Sequence, residues 1–137
     1  MKIVTLSLLA VLFASTSFAG TGAEPSKTSN CSDEKNYPVV EKAELTNLIA
    51  QKAAFIVDVN SKDSFTKTHI PSAINFGIEG QKFVKDLPAD KNALIVAYCG
   101  GPACGAWKKA AEVACKNGYT NIKHFKAGIS GWNEAKI

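Results

Sequence analysis

Residues 93–107 read ALIVAYCGGPACGAW, and this stretch decides the fold. Ala93 to Tyr98 is a short, nearly continuous apolar run, the pattern of a strand buried on both faces of a parallel sheet. From about Ala106 to Asn117 the sequence takes a helical pattern, stopped by Gly118. Between the two lies a loop holding two cysteines and three glycines. A strand, a tight glycine-rich loop and a helix in this order form one arm of an α/β unit. In open α/β sheets, ligands collect outside the carboxyl ends of the strands, where this loop falls.

The same alternation continues outward. Phe55 to Val59 (FIVDV) is a second buried-strand run, with weaker candidates at Ile122 to Phe125 and at Ala73 to Phe76. Helical patterns occupy Glu41 to Gln51, with Leu45, Leu48 and Ile49 on one face, and Gly80 to Leu87. Neither internal repeats nor low-complexity tracts are present. The expectation is a single α/β domain over residues 37–137, with a mostly parallel central sheet flanked by helices.

What precedes this domain reads differently. Met1-Lys2, the apolar run from Ile3 to Phe13, and Ser17-Phe18-Ala19 have the form of a secretory signal peptide over residues 1–19. The apolar run is too short for a membrane-spanning helix. Residues 20–36 are small and polar and are expected to be a flexible tether. The expected location is therefore periplasmic or secreted, with no membrane attachment once the signal is cleaved.

The formal charge of +4 is mild and evenly spread, so nucleic acid is not an expected partner. All 16 basic residues are Lys. An anion site in this chain must therefore use backbone N–H groups, a helix N-terminus or Lys point charges, not a guanidinium fork. The four cysteines, Cys31, Cys99, Cys104 and Cys115, allow three full pairings, which sequence does not resolve.

Cys99 ends the strand and faces the positive end of a helix, a field that favours thiolate. Gly100, Gly101, Ala103, Cys104 and Gly105 are expected to turn their N–H groups inward as an anion cradle, with Pro102 stiffening the curve. A nucleophilic sulfur on the floor of such a cradle can take a sulfane sulfur from an anionic donor and hold it as a persulfide. Lys108 and Lys109, in the first turn of the helix, are candidates for donor charge or for a solvated face. Two cysteines on one loop with His69 or His124 make no recognisable zinc pattern, so neither a metal nor a cofactor is expected.

From about Pro38 to Ala135 the chain resembles the rhodanese homology domain. Val57-Asp58-Val59, then Phe65, then His69-Ile70-Pro71-Ser72-Ala73-Ile74-Asn75, is similar to that family's DVR…F/Y…GHIPGAIN signature. Tyr98-Cys99 with the glycine-rich loop is similar to the family's active-site motif. Gly118-Tyr119-Thr120-Asn121-Ile122, Ala127-Gly128-Ile129 and Trp132 are similar to its closing motif. The resemblance implies a rhodanese-like fold and sulfur transfer from thiosulfate, persulfide or polysulfide to a thiophilic acceptor, small or protein, by a monomer. It assigns Cys99 as catalytic, Asp58 as a supporting carboxylate, His69 as a turn-fixing hydrogen bonder and Trp132 as a packing residue.

Three departures stand out. Asn60 takes the place of the family's Arg, the loop is about two residues longer than the common form, and Cys104 occupies a position usually polar or small. Lacking Arg, the loop loses the clamp that phosphate chemistry needs. Cys104 is close enough along the loop to bond Cys99 or to resolve a persulfide on it. This leaves a thiol-disulfide or redox-sensing module, or a non-enzymatic persulfide carrier, as alternatives. Cys115 is expected in the core, and Cys31 as a free thiol or a disulfide partner.

Overall fold

The computed structural model describes residues 30–79 and 82–134. The expected signal segment and most of the expected tether lie outside the described residues. Four parallel strands form one sheet in the order β2-β1-β3-β4: β1 Phe55–Asp58, β2 Ile74–Asn75, β3 Ile95–Tyr98 and β4 Ile122–His124. The helices are α1 Lys42–Ala50, α2 Lys62–Lys67, α3 Phe76–Glu79, α4 Phe83–Asp86, α5 Trp107–Lys116 and α6 Gly128–Asn133. Among the described residues, no helix is long and apolar enough to cross a membrane.

The two central strands are those with continuous apolar runs, paired Phe55 to Ile95 through Asp58 to Tyr98. Side chains of a strand alternate between faces. Ile56, Val96 and Tyr98 therefore join Val40, Leu45, Ile70, Phe125 and Ile129 in one core layer. Val57, Ile95, Ala97 and Cys99 join Trp107, Ala110, Ala111 and Ala114 of α5 in the other. Every residue of β3 is buried, which is why this segment carries no polar alternation. The small residues Ala110, Ala111 and Ala114 let α5 lie close against the sheet. The helix ends where expected: Gly118 follows at φ +88°, a conformation glycine adopts freely.

Three expectations need revision. Ala73 to Phe76 yields only the two-residue β2, and Phe76 opens α3 instead. Of the pattern at Gly80 to Leu87, the first two residues lie outside the described residues, and the rest holds the four-residue α4. Residues 30–36, assigned to the tether, carry a 3-10 turn at Glu34–Asn36, capped by the Asp33 side chain accepting from Lys35 N. This segment straps across α5. Cys31 is disulfide-bonded to Cys115, and Glu34 pairs with Lys108 at 2.7 Å. Tyr37 sits edge-on to Trp107 at 5.8 Å. Val39 then bridges in parallel to His124, beyond β4.

Candidate functional site

Strand β3 delivers Cys99 to the carboxyl edge of the sheet, 2 % exposed and packed in the α5 layer. The following loop is held from the side by α6. Ile129 N donates to Cys99 O at 2.9 Å and Ser130 N to Gly100 O at 3.1 Å. Ser130 Oγ donates to Gly100 O at 2.8 Å. The approach is close enough to dictate residue type. A Cβ on Gly128, which sits at φ +62°, would lie 2.5 Å from Gly101 N and 2.6 Å from Cys99 O. A Cβ on Gly101 would meet Ser130 Oγ at 2.7 Å. Gly100 and Gly105 have ordinary space or open solvent around them. Of the loop's three glycines only Gly101 is crowded, and there by the Ser130 hydroxyl, which rotation can move; the position that must be glycine is Gly128, packed against the loop's backbone.

Cys104 closes the loop onto Cys99: the two are joined as a disulfide with their Cα atoms 6.3 Å apart. Cys104 N donates to Gly101 O at 3.0 Å in a turn. That N–H is committed to the backbone, so the expected cradle reduces to Gly100, Gly101, Ala103 and Gly105. In this oxidised form the Cys99 sulfur is bonded and is not a nucleophile; cleavage of the bond exposes two thiols at the head of α5.

The supporting residues divide between two places. Asp58 is fully buried. One carboxylate oxygen accepts from Asn60 N and Asn60 Nδ2, both at 2.7 Å. The other accepts from Tyr98 Oη at 2.5 Å, while Tyr98 Oη accepts from Ile70 N at 3.0 Å. Burial, and then the bond to Asp58, hold the Tyr98 phenol well above its ordinary range. Asp58 thus ties the HIP segment to the sheet through Tyr98 rather than reaching Cys99. Asn60, in the place of the family's Arg, turns back to Asp58. Its Oδ1 lies 3.7 Å from where a Gly100 Cβ would stand, so it sits beside the cysteine loop. Asn75 Nδ2 donates to Asn60 O at 2.9 Å and fixes that turn.

His69 is exposed, donates through Nδ1 to Phe65 O at 2.9 Å and stacks on the Phe65 ring. It acts on its own turn and does not join Cys99. Lys108 reaches Glu34 on the strap, and that bond lowers the Glu34 carboxyl. Lys109 is exposed on the first turn of α5. Beneath this turn, His124 is buried flat against Trp107, with ring centroids 3.7 Å apart. Burial pushes its imidazole down to about 4; Lys126 and Lys108 act in the same direction and Glu34 opposes them.

Sequence reasoning missed Tyr98, Asn75, Gly128 and Ser130 as site supports. The tyrosine ending a buried strand beside a strand-end Asp was the available signal for the first. Ser130 carried none, because its role depends on where α6 docks.

The fold and site together define a parallel α/β domain with a disulfide-linked cysteine pair on the loop between the end of a central strand and the N-terminus of a helix. The Rhodanese-like domain family matches residues 41–135, and the chain belongs to that family. It is 28% identical over 93 residues to thiosulfate sulfurtransferase GlpE of Shewanella oneidensis, covering 67% of this chain and 88% of that protein. It is also 29% identical over 105 residues to adenylyltransferase and sulfurtransferase uba4 of Ogataea parapolymorpha, but spans only 25% of that protein's length. The crystal structure of BH2092 from Bacillus halodurans matches at a TM-score of 0.60 with 29% identity, over 72% of each chain. The chain is therefore a rhodanese-like domain with sulfurtransferase relatives.

Proposed function

We propose that this protein is a sulfurtransferase that takes sulfane sulfur from thiosulfate, a persulfide or a polysulfide onto Cys99 and passes it to a thiophilic acceptor. The observation that carries this reading is the position of Cys99: strand end, nearly buried, at the head of α5, in a family that includes sulfurtransferases. Once reduced, Cys99 gains thiolate character from the helix N-terminus. Its attack on the outer sulfur of thiosulfate breaks the S–S bond, and sulfite departs with the electron pair. The remaining cradle amides and Lys109 are the groups offered to the anionic donor; Lys108 is engaged with Glu34. We place the protein in the periplasm or outside the cell. Two disulfides among the described residues and the signal-like first 19 residues support that placement.

The test is thiocyanate formation from thiosulfate and cyanide by the reduced protein, together with intact-mass detection of a cyanide-labile addition of about 32 Da, one sulfur atom. Thiocyanate is expected from the parent protein and the added sulfur on Cys104→Ala, where no neighbouring thiol can discharge it; both should be absent once Cys99 is replaced by Ala. A second reading, a thiol-disulfide module, is favoured by the Cys99–Cys104 bond. It takes over if the reduced protein exchanges disulfides readily yet forms no thiocyanate, and neither it nor Cys104→Ala acquires the added sulfur.

A further inference from the structure

A sulfurtransferase that only lends its sulfur to an outside acceptor has no use for a second thiol bonded to the first. Here Cys104 is joined to Cys99 across five residues. The loop between them is fixed at one end by Ile129 and Ser130 and at the other by the Gly101–Cys104 turn. Cys99 is 2 % exposed, whereas Cys104 is partly exposed. An outside acceptor must reach a buried sulfur, while Cys104 already stands within bonding distance of it. Holding two reacting groups on one fixed loop raises their effective concentration far above that of a dissolved thiol.

We infer that Cys104 is a resolving thiol that discharges the Cys99 persulfide as hydrosulfide, so that the protein reduces sulfane sulfur to sulfide at the expense of a dithiol reductant; this rests on Cys99 accepting sulfane sulfur, as proposed above. The Cys104 thiolate attacks Cys99 Sγ, and the Cys99–Cys104 bond forms. The bond from Cys99 Sγ to the outer sulfur breaks, and hydrosulfide leaves with its electron pair. The outer sulfur gains two electrons, one from each cysteine sulfur, which become the disulfide. A dithiol reductant then cleaves that disulfide by thiol exchange, is itself oxidised to a disulfide, and restores both thiols. With thiosulfate as donor, the sum is thiosulfate plus dithiol giving sulfite, hydrosulfide, the dithiol's disulfide and one proton. The disulfide seen in the structure is the product state of the resolving step.

The experiment is a single turnover without oxygen. The full chain is reduced with dithiothreitol, freed of it by gel filtration, and mixed with one equivalent of thiosulfate. Sulfide is measured with monobromobimane, and protein species by intact and peptide mass spectrometry. The parent protein is expected to release about one sulfide per chain and to finish about 2 Da lighter than its reduced form, with the Cys99–Cys104 peptide cross-linked. Cys104→Ser and Cys104→Ala are expected to keep a persulfide of about 32 Da on Cys99 and to release at least about tenfold less sulfide. If the parent protein keeps the persulfide on Cys99 and releases no sulfide, the resolving role falls while sulfur loading stands. If the extra sulfur settles on Cys104, that cysteine relays sulfur and does not reduce it, and the inference falls as well. If neither the parent protein nor the Cys104 variants take up sulfur, the sulfurtransferase reading fails and takes this one with it.

Discussion

Replacing Cys31 by Ser removes the strap's covalent anchor and leaves its other contacts in place. The bond to Cys115 closes a loop with a sequence separation of 84. In the chain-entropy description, a cross-link of that span costs the unfolded chain about 4.5 kcal/mol of conformational freedom at 25 °C. For a domain of roughly 100 ordered residues, that corresponds to a fall in Tm of about 20 °C. Thermal unfolding of Cys31→Ser, Cys115→Ser and the double variant, followed by circular dichroism without reductant, measures it. All three should show nearly the same loss, because each removes the same cross-link and two removals of one bond do not add. Cys31→Ser should leave the alkylation rate of reduced Cys99 unchanged, since Cys31 lies on the strap and outside the cysteine loop. A Tm within about 5 °C of the parent protein's would refute the reasoning, because the bond would then add little to what the strap's other contacts already hold. So would additive losses in the double variant.

Four further outcomes follow from individual residues. Tyr98→Phe strips Asp58 of one donor and Ile70 N of its acceptor inside the core, and should cost about 2–3 kcal/mol in urea unfolding. Gly128→Ala forces a Cβ to within 2.6 Å of Cys99 O at a left-handed φ; a loss of about 2 kcal/mol or more is expected, with sulfur transfer slowed about tenfold or more as the loop shifts. Ser72, at φ +65°, stands where the family motif has glycine, so Ser72→Gly should raise stability by roughly 0.5–1 kcal/mol in the same assay. His124 is held neutral down to about pH 4 by burial. As pH falls below the ordinary histidine value the unfolded chain binds a proton that the folded chain refuses, so stability is full near neutrality and declines on acidification, by at most about 1.4 kcal/mol per pH unit. In His124→Phe, which keeps a ring against Trp107, that decline between about pH 6 and about pH 5 should vanish.

Central strands and α5 were legible because they obey the strongest local rule: a segment buried on both faces has no reason to alternate. Phe55–Asp58, Ile95–Tyr98 and Trp107–Lys116 fall within about two residues of the expected runs. The short elements were not legible. Helices α2 and α6 have six residues each, too few for a periodic pattern to repeat, and α6 is held by hydrogen bonds to Cys99 and Gly100 rather than by propensity. The cysteine of the site was visible from its place between strand and glycine-rich loop. Its support was only partly visible: Asp58 could be named, but its partner Tyr98 read simply as the last apolar residue of a strand. The commitments of Lys108 to Glu34 and of Cys104 N to Gly101 O depend on contacts that spacing does not encode.

The cysteine pairing shows how position along one helix separates two kinds of disulfide. Of the three pairings open to four cysteines, the one adopted puts a bond at each end of α5: Cys99–Cys104 just before Trp107, and Cys31–Cys115 near the C-terminal end. At about 1.5 Å of rise per residue, Cys115 lies about 12 Å along the helix from Trp107. That is well beyond the span within which two cysteines can bond. Exchange between the pairs would therefore require α5 to unwind, and α5 is held by Trp107, Ala110, Ala111 and Ala114, all essentially buried. The loop pair can be opened by a reductant and closed again while the distal bond keeps strap and helix together. A reductant strong enough to open both should open the loop pair first and leave the domain folded, because the loop bond closes only a five-residue separation and constrains the chain far less than the bond that spans 84. Titration with increasing dithiothreitol, read by differential alkylation at each cysteine, should accordingly label Cys99 and Cys104 before Cys31 and Cys115. The reverse order would mean that the strap, not the loop, is the reducible element of this fold.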